Sequence, residues 1–188
     1  HQFSDPDVTV EELTIDPREM ASVSMMGSGI PTGTELFNPE RRNSQGYDIN
    51  DPGVAAELVA SMDKARAGER LAVPLVAGVT VTGAQVPVTN PATGETIGHV
   101  INADSAAVDR AIALAVAAQP DWSLAGGEWR AEKLERAADL LEANTANFLA
   151  LAMDEAGKTL LDAIAELREA TDFLRYYAAQ ARKHFARN

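Results

Sequence analysis

The stretch that decides the fold is Asp154-Glu155-Ala156-Gly157-Lys158-Thr159, followed by a long amphipathic run over residues 160–185. In that run apolar or small side chains recur in alternating steps of four and three, at Leu160, Ile164, Leu167, Thr171, Leu174, Ala178, Ala181 and Phe185. This spacing places them on one side of a helix, so we expect a long helix over about residues 158–186 with one buried seam. Gly157 is the natural cap at the end of the helix before it.

Two more helices are predicted directly upstream. One covers about residues 128–155, where apolar side chains and charged side chains fall on opposite faces. The other covers about residues 104–118; Asp104 or Ser105 can cap its first turn, and Pro120 is expected to stop it.

Residues 71–88 carry no charge and are about as long as a membrane span, but four helix breakers interrupt them: Pro74, Gly78, Gly83 and Pro87. We therefore predict short strands within residues 73–101. The turn-forming stretch Asn90-Pro-Ala-Thr-Gly94 lies between two β-rich runs and predicts a hairpin.

Residues 1–70 are predicted to be a connector with short helices. Proline and glycine punctuate the first 52 residues, where two short helices are expected at about 10–13 and 17–26. A clearer helix is predicted over about 51–67, because Pro52 suits a first helical turn. The predicted fold class is mostly α with a small region of hairpin and strands.

The composition limits what the chain can do. It has 188 residues, of which 46% are apolar, and a formal net charge of −12. An acidic chain is not expected to bind nucleic acid, which requires a basic face. The chain has no cysteine, so it has no disulfide, no thiolate metal ligand and no thiol nucleophile.

Several motifs have simple structural interpretations. Gly157-Lys158-Thr159 could end a phosphate-binding loop, but that loop needs a glycine where Ala152 stands and a strand before it, so we interpret it as a helix junction. Glu166 is interpreted as part of a solvated face. The three histidines lack ligand-spaced neighbours, and no metal site is predicted. The aromatic residues of the last helix are interpreted as core and interface packing; they are Phe173, Tyr176, Tyr177 and Phe185. The basic residues at its C-terminal end are interpreted as a complement to the helix dipole; they are Arg182, Lys183, His184 and Arg187.

From about Val86 to Phe185 the order of segments resembles the N-terminal part of an aldehyde dehydrogenase. The matching segments are the hairpin Asn90-Pro-Ala-Thr-Gly-Glu95, the helix ending in Ala118-Gln-Pro-Asp-Trp122, the helix from Arg130 to Leu141, and Glu155-Ala-Gly-Lys158. Residues 36–46 and 166–178 narrow the resemblance to the proline utilization A family of bifunctional enzymes. The resemblance implies an incomplete aldehyde dehydrogenase α/β fold: a connector over 1–70, then the start of that domain over 71–188.

The resemblance also implies an activity for a parent enzyme, in which a flavin-binding barrel precedes His1 and the remaining dehydrogenase follows Asn188. That enzyme would oxidise proline to pyrroline-5-carboxylate with FAD, and glutamate semialdehyde to glutamate with NAD. It would be a cytoplasmic homo-oligomer. The partner of this segment would be the rest of the same polypeptide. On its own, the segment would bind neither cofactor and would be inactive.

The family's nucleophile is a cysteine thiolate, so no catalytic residue is assigned within this chain. One site residue carries over: Glu169 occupies the place of an acid that lines the aldehyde entrance, where a carboxylate would oppose the substrate's ammonium group. Two alternatives stay open, a monofunctional NAD-dependent aldehyde dehydrogenase and a non-catalytic helical module that docks through residues 160–185. Membrane association of the parent is also open.

Overall fold

The structure, a computed structural model, describes residues 9, 10, 14, 16, 31–68 and 70–186, and the chain divides into two units, residues 1–32 and 33–188. In the first unit, the amide and hydroxyl of Thr14 both donate to the carbonyl of Val10, at 3.0 and 2.9 Å. The short helices predicted at 10–13 and 17–26 lie, apart from Val10, outside the described residues.

The second unit is mostly helical, with two small sheets. Its described residues form a 3₁₀ turn over Gly33–Glu35, then helices and strands in this order: α1 Pro52–Arg66, β1 Leu71–Ala72, β2 Leu75–Val76, β3 Val79–Thr80, β4 Gln85–Thr89, β5 Thr96–Ile101, α2 Ser105–Leu124, α3 Gly126–Ala143, α4 Thr145–Ala156 and α5 Leu160–His184. The predicted fold class, mostly α with a small strand region, is confirmed.

Short polar side chains begin three of the helices. Asp51 accepts hydrogen bonds from two amides in the first turn of α1, at 2.7 and 3.3 Å. Asp104 accepts one from the first turn of α2 at 2.7 Å. At α5 the hydroxyl of Thr159 accepts from the amide of Asp162 at 3.2 Å and donates to its carboxylate at 2.7 Å. These bonds satisfy amides that have no partner inside the helix.

The single helix predicted over about 128–155 is wrong, because the backbone leaves helical geometry at Asn144 and separates α3 from α4. The side-chain amide of Asn144 donates to the carbonyl of Leu140 at 2.9 Å, and the hydroxyl of Thr145 donates to the carbonyl of Glu142 at 2.7 Å. Short polar side chains compete in this way for backbone groups and end a helix. The spacing of apolar residues continues across Asn144, so the sequence pattern gave no sign of the break.

The helix predicted over about 104–118 is too short, since α2 runs through Pro120 for another turn. Proline removes one N–H from the helix ladder, but the amide of Ala125 still donates one turn back at 3.0 Å. Trp122, in the added turn, packs edge-on against Trp129 of α3 with ring centroids 5.0 Å apart. This aromatic contact favours continuation of the helix beyond the proline.

The three-stranded sheet has the order β1-β5-β4. Strand β5 pairs in parallel with β1, where Leu71 lies opposite His99, and antiparallel with β4 across the predicted hairpin. Gly98 allows the close approach of β1, since a Cβ atom there would lie 2.7 Å from the carbonyl oxygen of Arg70. The remaining strands, β2 and β3, form a separate hairpin whose turn places Ala77 and Gly78 at positive φ.

Charge-free residues 71–88 thus fold as strands and turns, as their breakers predict. Across the described ranges, no helix is both long enough and apolar enough to cross a membrane.

The core forms where α1, α4 and α5 meet. Its buried members are Leu58, Met62, Leu149, Ala150, Ala163 and Ile164. Asp154 of α4 closes one end of this core, because its carboxylate accepts from Arg66 at 3.2 Å and from Arg70 at 2.9 Å. Burial alone would raise the pKa of Asp154, but the hydrogen bonds from the two arginines outweigh it and hold the pKa below its ordinary value.

Helices α3 and α5 pack antiparallel along the predicted seam. Ala131, Ala138 and Ala178 are fully buried, and the amide of Gly127 donates to the carbonyl of Phe185 at 3.0 Å. A Cβ atom at Gly127 would lie 2.3 Å from the carbonyl oxygen of Ala181, so only glycine fits there. The seam is buried as far as Ala178, whereas the Phe185 ring is exposed and lies under the guanidinium of Arg130.

Candidate functional site

Glu169 lies on the exposed side of α5 and borders a surface groove of about 350 Å³. The groove is lined by Arg41, Glu169, Asp172, Phe173 and Tyr176. Four of these residues follow one another along α5 in steps of three, one and three, so they face the same side of the helix. Arg41 comes from far away in the chain, so the groove depends on how its segment is held.

Residues 41–47, here called the docking segment, lie against α5 through Ser44. The amide of Ser44 donates to Oδ1 of Asp172, and its hydroxyl donates to Oδ2, both at 2.7 Å. Arg168 donates from Nε to the same hydroxyl at 3.3 Å. Ser44 is buried, so these bonds replace water that the serine would otherwise bind.

The docking segment is also tied to the end of α3. Glu142 accepts a hydrogen bond from the amide of Gln45 at 3.0 Å and lies 3.6 Å from Nη2 of Arg42. The hydroxyl of Tyr47 donates to that of Thr145 at 3.2 Å. The segment is therefore fixed at both ends on the α3–α4 junction and α5.

A buried ion pair supports that junction. Arg175, with 4% of its surface exposed, binds both carboxylate oxygens of Glu142, at 3.1 and 2.6 Å, and Asp139 at 3.0 Å. The hydrogen bond from Arg175 to Glu142 is the main cause of the raised pKa of Arg175. Burial would raise the pKa of Glu142, but the bonds from Arg175 and Gln45 lower it below its ordinary value. Glu142 is thus ionised at neutral pH and holds the docking segment as an anion.

The guanidinium of Arg41 lines the groove and is held there by weak contacts. Its Cζ atom lies 3.9 Å from the centroid of the Phe37 ring, and Nη1 lies 3.5 Å from Oδ1 of Asp172. Within ranges 31–68 and 70–186, the buried Nη1 atom has no hydrogen-bond partner. A separation of 3.5 Å is outside normal hydrogen-bond length, so the pairing with Asp172 is electrostatic and loose.

The carboxylate of Glu169 forms no ion pair or hydrogen bond with any residue that the structure describes. The groove therefore presents the exposed carboxylate of Glu169 beside aromatic faces, with the largely buried guanidinium of Arg41 at its edge.

The aromatic residues of α5 do not pack in the core, which corrects that part of the interpretation. Phe173, Tyr176 and Tyr177 are exposed and contact one another: the rings of Phe173 and Tyr177 stack at 6.1 Å, and those of Tyr176 and Tyr177 meet edge-on at 5.2 Å. Their spacing along the helix would also fit a buried face. In this turn of α5, however, the buried residue is the polar Arg175.

The Gly157-Lys158-Thr159 motif is a helix junction, as predicted. Gly157 ends α4 with φ of 66°, and Thr159 caps α5. Lys158 pairs with Glu166 at 2.5 Å, and this hydrogen bond raises the pKa of the lysine. All three residues therefore have structural roles in this part of the fold.

The basic end of α5 has a more specific role than the predicted complement to the dipole. Arg182 forms ion pairs with Glu135 and Glu128 of α3, the latter at 2.9 Å. Hydrogen bonding to Arg182 is the main cause of the lowered pKa of Glu135. Among the residues that the structure describes, no group of His, Asp and Glu side chains is arranged to hold a metal ion.

The arrangement of hairpin, sheet and helices can be compared with known proteins. The model of the aldehyde dehydrogenase family matches residues 79–188, well over half of the chain. The chain belongs to the aldehyde dehydrogenase family. The match begins at β3 and includes the whole of α5, so the groove face of α5 is part of this dehydrogenase region while the docking segment precedes it.

Individual relatives match more of the chain than the family model does. The bifunctional protein PutA of Klebsiella aerogenes is 33% identical over 98% of this chain, and that of Escherichia coli is 32% identical over 99%. The chain spans 15% of the length of each of these relatives. The segment is therefore similar to a PutA-like aldehyde dehydrogenase region together with the residues that precede it.

Solved structures of PutA and of a related dehydrogenase are also similar to this chain. A mutant of Bradyrhizobium japonicum Proline Utilization A (PutA) matches with a TM-score of 0.66 and 33% identity, over 99% of this chain and 16% of that one. A Thermus 1-pyrroline-5-carboxylate dehydrogenase with bound NAD matches with a TM-score of 0.71 and 25% identity, over 77% of this chain and 29% of that one.

The sequence predicted Glu169 as a site residue, which stays a prediction, but it did not predict that Arg41 and Asp172 line the same groove or that Ser44 binds Asp172. Ser44 and Asp172 are 128 positions apart, and no periodicity connects an irregular segment with a helix across that distance. The available signal was indirect: Arg41 and Ser44 lie inside residues 36–46, a stretch that carries the family resemblance.

Proposed function

We propose that this chain is part of a bifunctional oxidoreductase that degrades proline. One part of the enzyme would oxidise proline to pyrroline-5-carboxylate with FAD, and the aldehyde dehydrogenase part would oxidise glutamate semialdehyde to glutamate with NAD. The observation that carries this proposal is the extent of the match: PutA relatives match 97–99% of the chain, including residues before the family match at 79–188.

A monofunctional semialdehyde dehydrogenase is the second candidate. The glutarate-semialdehyde dehydrogenase of Pseudomonas putida is 37% identical over 101 residues, but these amount to 54% of this chain. The bifunctional assignment is preferred because PutA relatives match 97–99% of the chain, whereas the Thermus 1-pyrroline-5-carboxylate dehydrogenase matches 77%.

Groove chemistry supports a substrate with a positive charge. Glutamate semialdehyde carries an ammonium group, and the exposed carboxylate of Glu169, which pairs with no residue that the structure describes, would provide its counter-charge. Such a contact orients the aldehyde while its carbonyl carbon meets the nucleophile. Glu169 is thus proposed as a substrate-binding residue rather than a catalytic one.

The oxidation itself needs groups outside these 188 residues. A thiolate would have to add to the aldehyde carbon and water would have to release the acid from the resulting thioester, while bound NAD would supply the hydride acceptor. The chain has no cysteine to supply the thiolate. We propose that the segment alone does not oxidise aldehydes.

The test uses the full-length gene product and measures NADH formation from glutamate semialdehyde. Glu169→Gln should raise KM at least about tenfold, because a charged hydrogen bond contributes about 1.5–3 kcal/mol and about 1.4 kcal/mol is a factor of ten. Glu166→Gln is the matched control, since this exposed glutamate on the same helix pairs with Lys158 instead. Equal kinetic constants for wild type and Glu169→Gln would reject the assignment of Glu169, and absence of proline oxidation would reject the bifunctional enzyme.

A further inference from the structure

Helix α2 differs from the other helices in what it buries. None of its residues is buried, whereas α1, α3, α4 and α5 each contribute buried side chains. The residues of α2 that are partly buried are the small Ala107 and Ala111. Its larger side chains Val108, Ile112 and Val116 are 46, 58 and 68% exposed. The helix thus contacts the fold through alanines and turns its large apolar side chains to the surface.

Val108, Ile112 and Val116, here called the outer face of α2, form one stripe because they are four residues apart. Residues 111–120 carry no charge. At about 3.6 residues per turn, the charged Arg110 and Asp121 lie about 160–180° around the helix from Ile112. Such a stripe is typical of a helix face that packs against another element. No part of residues 31–68 or 70–186 covers it.

The chain leaves α5 next to the end of α2. The carbonyl of Phe185, directly after α5, accepts a hydrogen bond from the amide of Gly127 at 3.0 Å, and Gly127 lies just beyond the last residue of α2, Leu124. Residues that follow Phe185 therefore start from the corner between α2 and α3. Ile112 is about 18 Å along the helix from Leu124, a distance that about six extended residues can span.

We propose that the outer face of α2 is the surface on which the part of the dehydrogenase that follows residue 188 packs. The inference rests on the proposed function and extends it, since it gives the rest of the polypeptide a contact surface on this segment. The helix lies inside the family match at 79–188, and this chain spans 29% of the Thermus 1-pyrroline-5-carboxylate dehydrogenase. Most of such a dehydrogenase thus lies outside this segment and is available to cover the stripe.

A second copy of the chain is the alternative occupant, and two observations favour the same polypeptide. A segment attached at the α2–α3 corner has an effective concentration on the order of millimolar, so it competes well with a separate molecule. The outer face is also narrow, because it consists of three side chains of one helix. Stable association of separate proteins usually buries about 800 Å² on each partner.

The experiment measures the exposure of the outer face in the full-length gene product. Ile112→Cys and Arg110→Cys are labelled with a maleimide, and the label is located by mass spectrometry of peptides. Residues 1–188 contain no cysteine of their own, so a label in this helix belongs to the introduced thiol. In the folded protein Ile112→Cys should react at least about tenfold more slowly than Arg110→Cys, whereas both should react equally in urea. Equal rates at the two positions in the folded protein, whether fast or slow, would overturn the proposal.

Photo-crosslinking then identifies the occupant. A diazirine amino acid in place of Ile112 should crosslink to residues after 188 of the same polypeptide, with a yield that dilution does not change. Crosslinks to a second copy, or to residues that precede His1, would overturn the proposal. Neither readout depends on catalysis, so equal labelling in an active enzyme would reject this inference alone. A gene product that does not oxidise glutamate semialdehyde would instead reject the proposed function.

Discussion

Ser44 and Asp172 join two parts of the chain that are 128 residues apart, through two hydrogen bonds of 2.7 Å. The serine supplies both an amide and a hydroxyl donor, and the aspartate accepts each with a different oxygen. Because Asp172 is three residues from Glu169 on α5, the same contact that fixes the docking segment also brings Arg41 to the groove.

Asp172→Ala should release the docking segment. The substitution leaves the buried amide and hydroxyl of Ser44 without acceptors, which costs about 1–3 kcal/mol for each unsatisfied group. Hydrogen–deuterium exchange of the full-length protein should show faster exchange of peptides covering residues 43–47. Ser44→Ala, which removes the hydroxyl bonds to Asp172 and Arg168 but keeps the amide bond to Asp172, should show a smaller increase. Equal protection in all three proteins would contradict the importance of this contact.

Removing Arg175 should destabilise the α3–α5 interface strongly. Arg175→Met leaves Glu142 partly buried without its main counter-charge, and breaking a buried ion pair costs about 3–5 kcal/mol. Thermal unfolding of the full-length protein should show a lower midpoint for this variant. The double variant Arg175→Met with Glu142→Gln should be less affected than the sum of the single variants, because the unpaired charge is gone. Strict additivity would show that the two residues do not interact.

Asp154 should contribute a pH-dependent part of the stability. Its pKa is lower in the folded chain than the ordinary value of about 3.9, so its contribution is complete above that value and is lost as the pH falls below it through the folded pKa. The difference in thermal midpoint between wild type and Asp154→Asn should be constant from about pH 7 to 5 and shrink below about pH 4.

Asp63→Asn is the matched control for Asp154, because Asp63 binds the same Arg66 but is 65% exposed. Exposed ion pairs contribute at most about 1 kcal/mol, so this variant should change the midpoint little. An equally large effect at Asp63 would argue against burial as the source of the Asp154 contribution.

Gly127→Ala should separate the ends of α3 and α5. The added Cβ would lie 2.3 Å from the carbonyl oxygen of Ala181 and 2.8 Å from that of Phe185, and both are backbone atoms that cannot rotate away. A loss of about 1–3 kcal/mol is expected from such overpacking, seen as a lower thermal midpoint. Gly68→Ala is the control, since a Cβ atom added there would have no other atom within 4 Å. A similar midpoint for both variants would contradict the close contact.

Local patterns predicted helices well where the burial period and the caps agreed. The α5 helix combines a regular seam with Thr159 as cap and Gly157 before it, and it was predicted within two residues at each end. The break at Asn144 and the continuation of α2 through Pro120 were missed because each depends on specific side-chain contacts, which periodicity does not record.

The groove was less predictable than the fold. Glu169 was found only because residues 166–178 resemble a known family, and its role as a substrate-binding residue stays a prediction. Arg41 was out of reach of sequence patterns, since an irregular segment has no period and its partner on α5 is set by tertiary structure. Arg175 and Arg182 form ion pairs that join α5 to α3. In the sequence they cannot be told from ordinary surface charges, because their role depends on how α3 packs against α5.

The attachment of residues 41–47 to α3 and α5 also bears on how homologous chains can vary in length. Arg41 and Glu169 come together through contacts that bypass residues 48–70, so an insertion in the turns on either side of α1 would leave both groove charges in place. The spacing between Arg41 and Ser44, in contrast, cannot change by a single residue without moving the cation. Evolution of this region should therefore tolerate insertions after residue 47 and exclude them between residues 41 and 44.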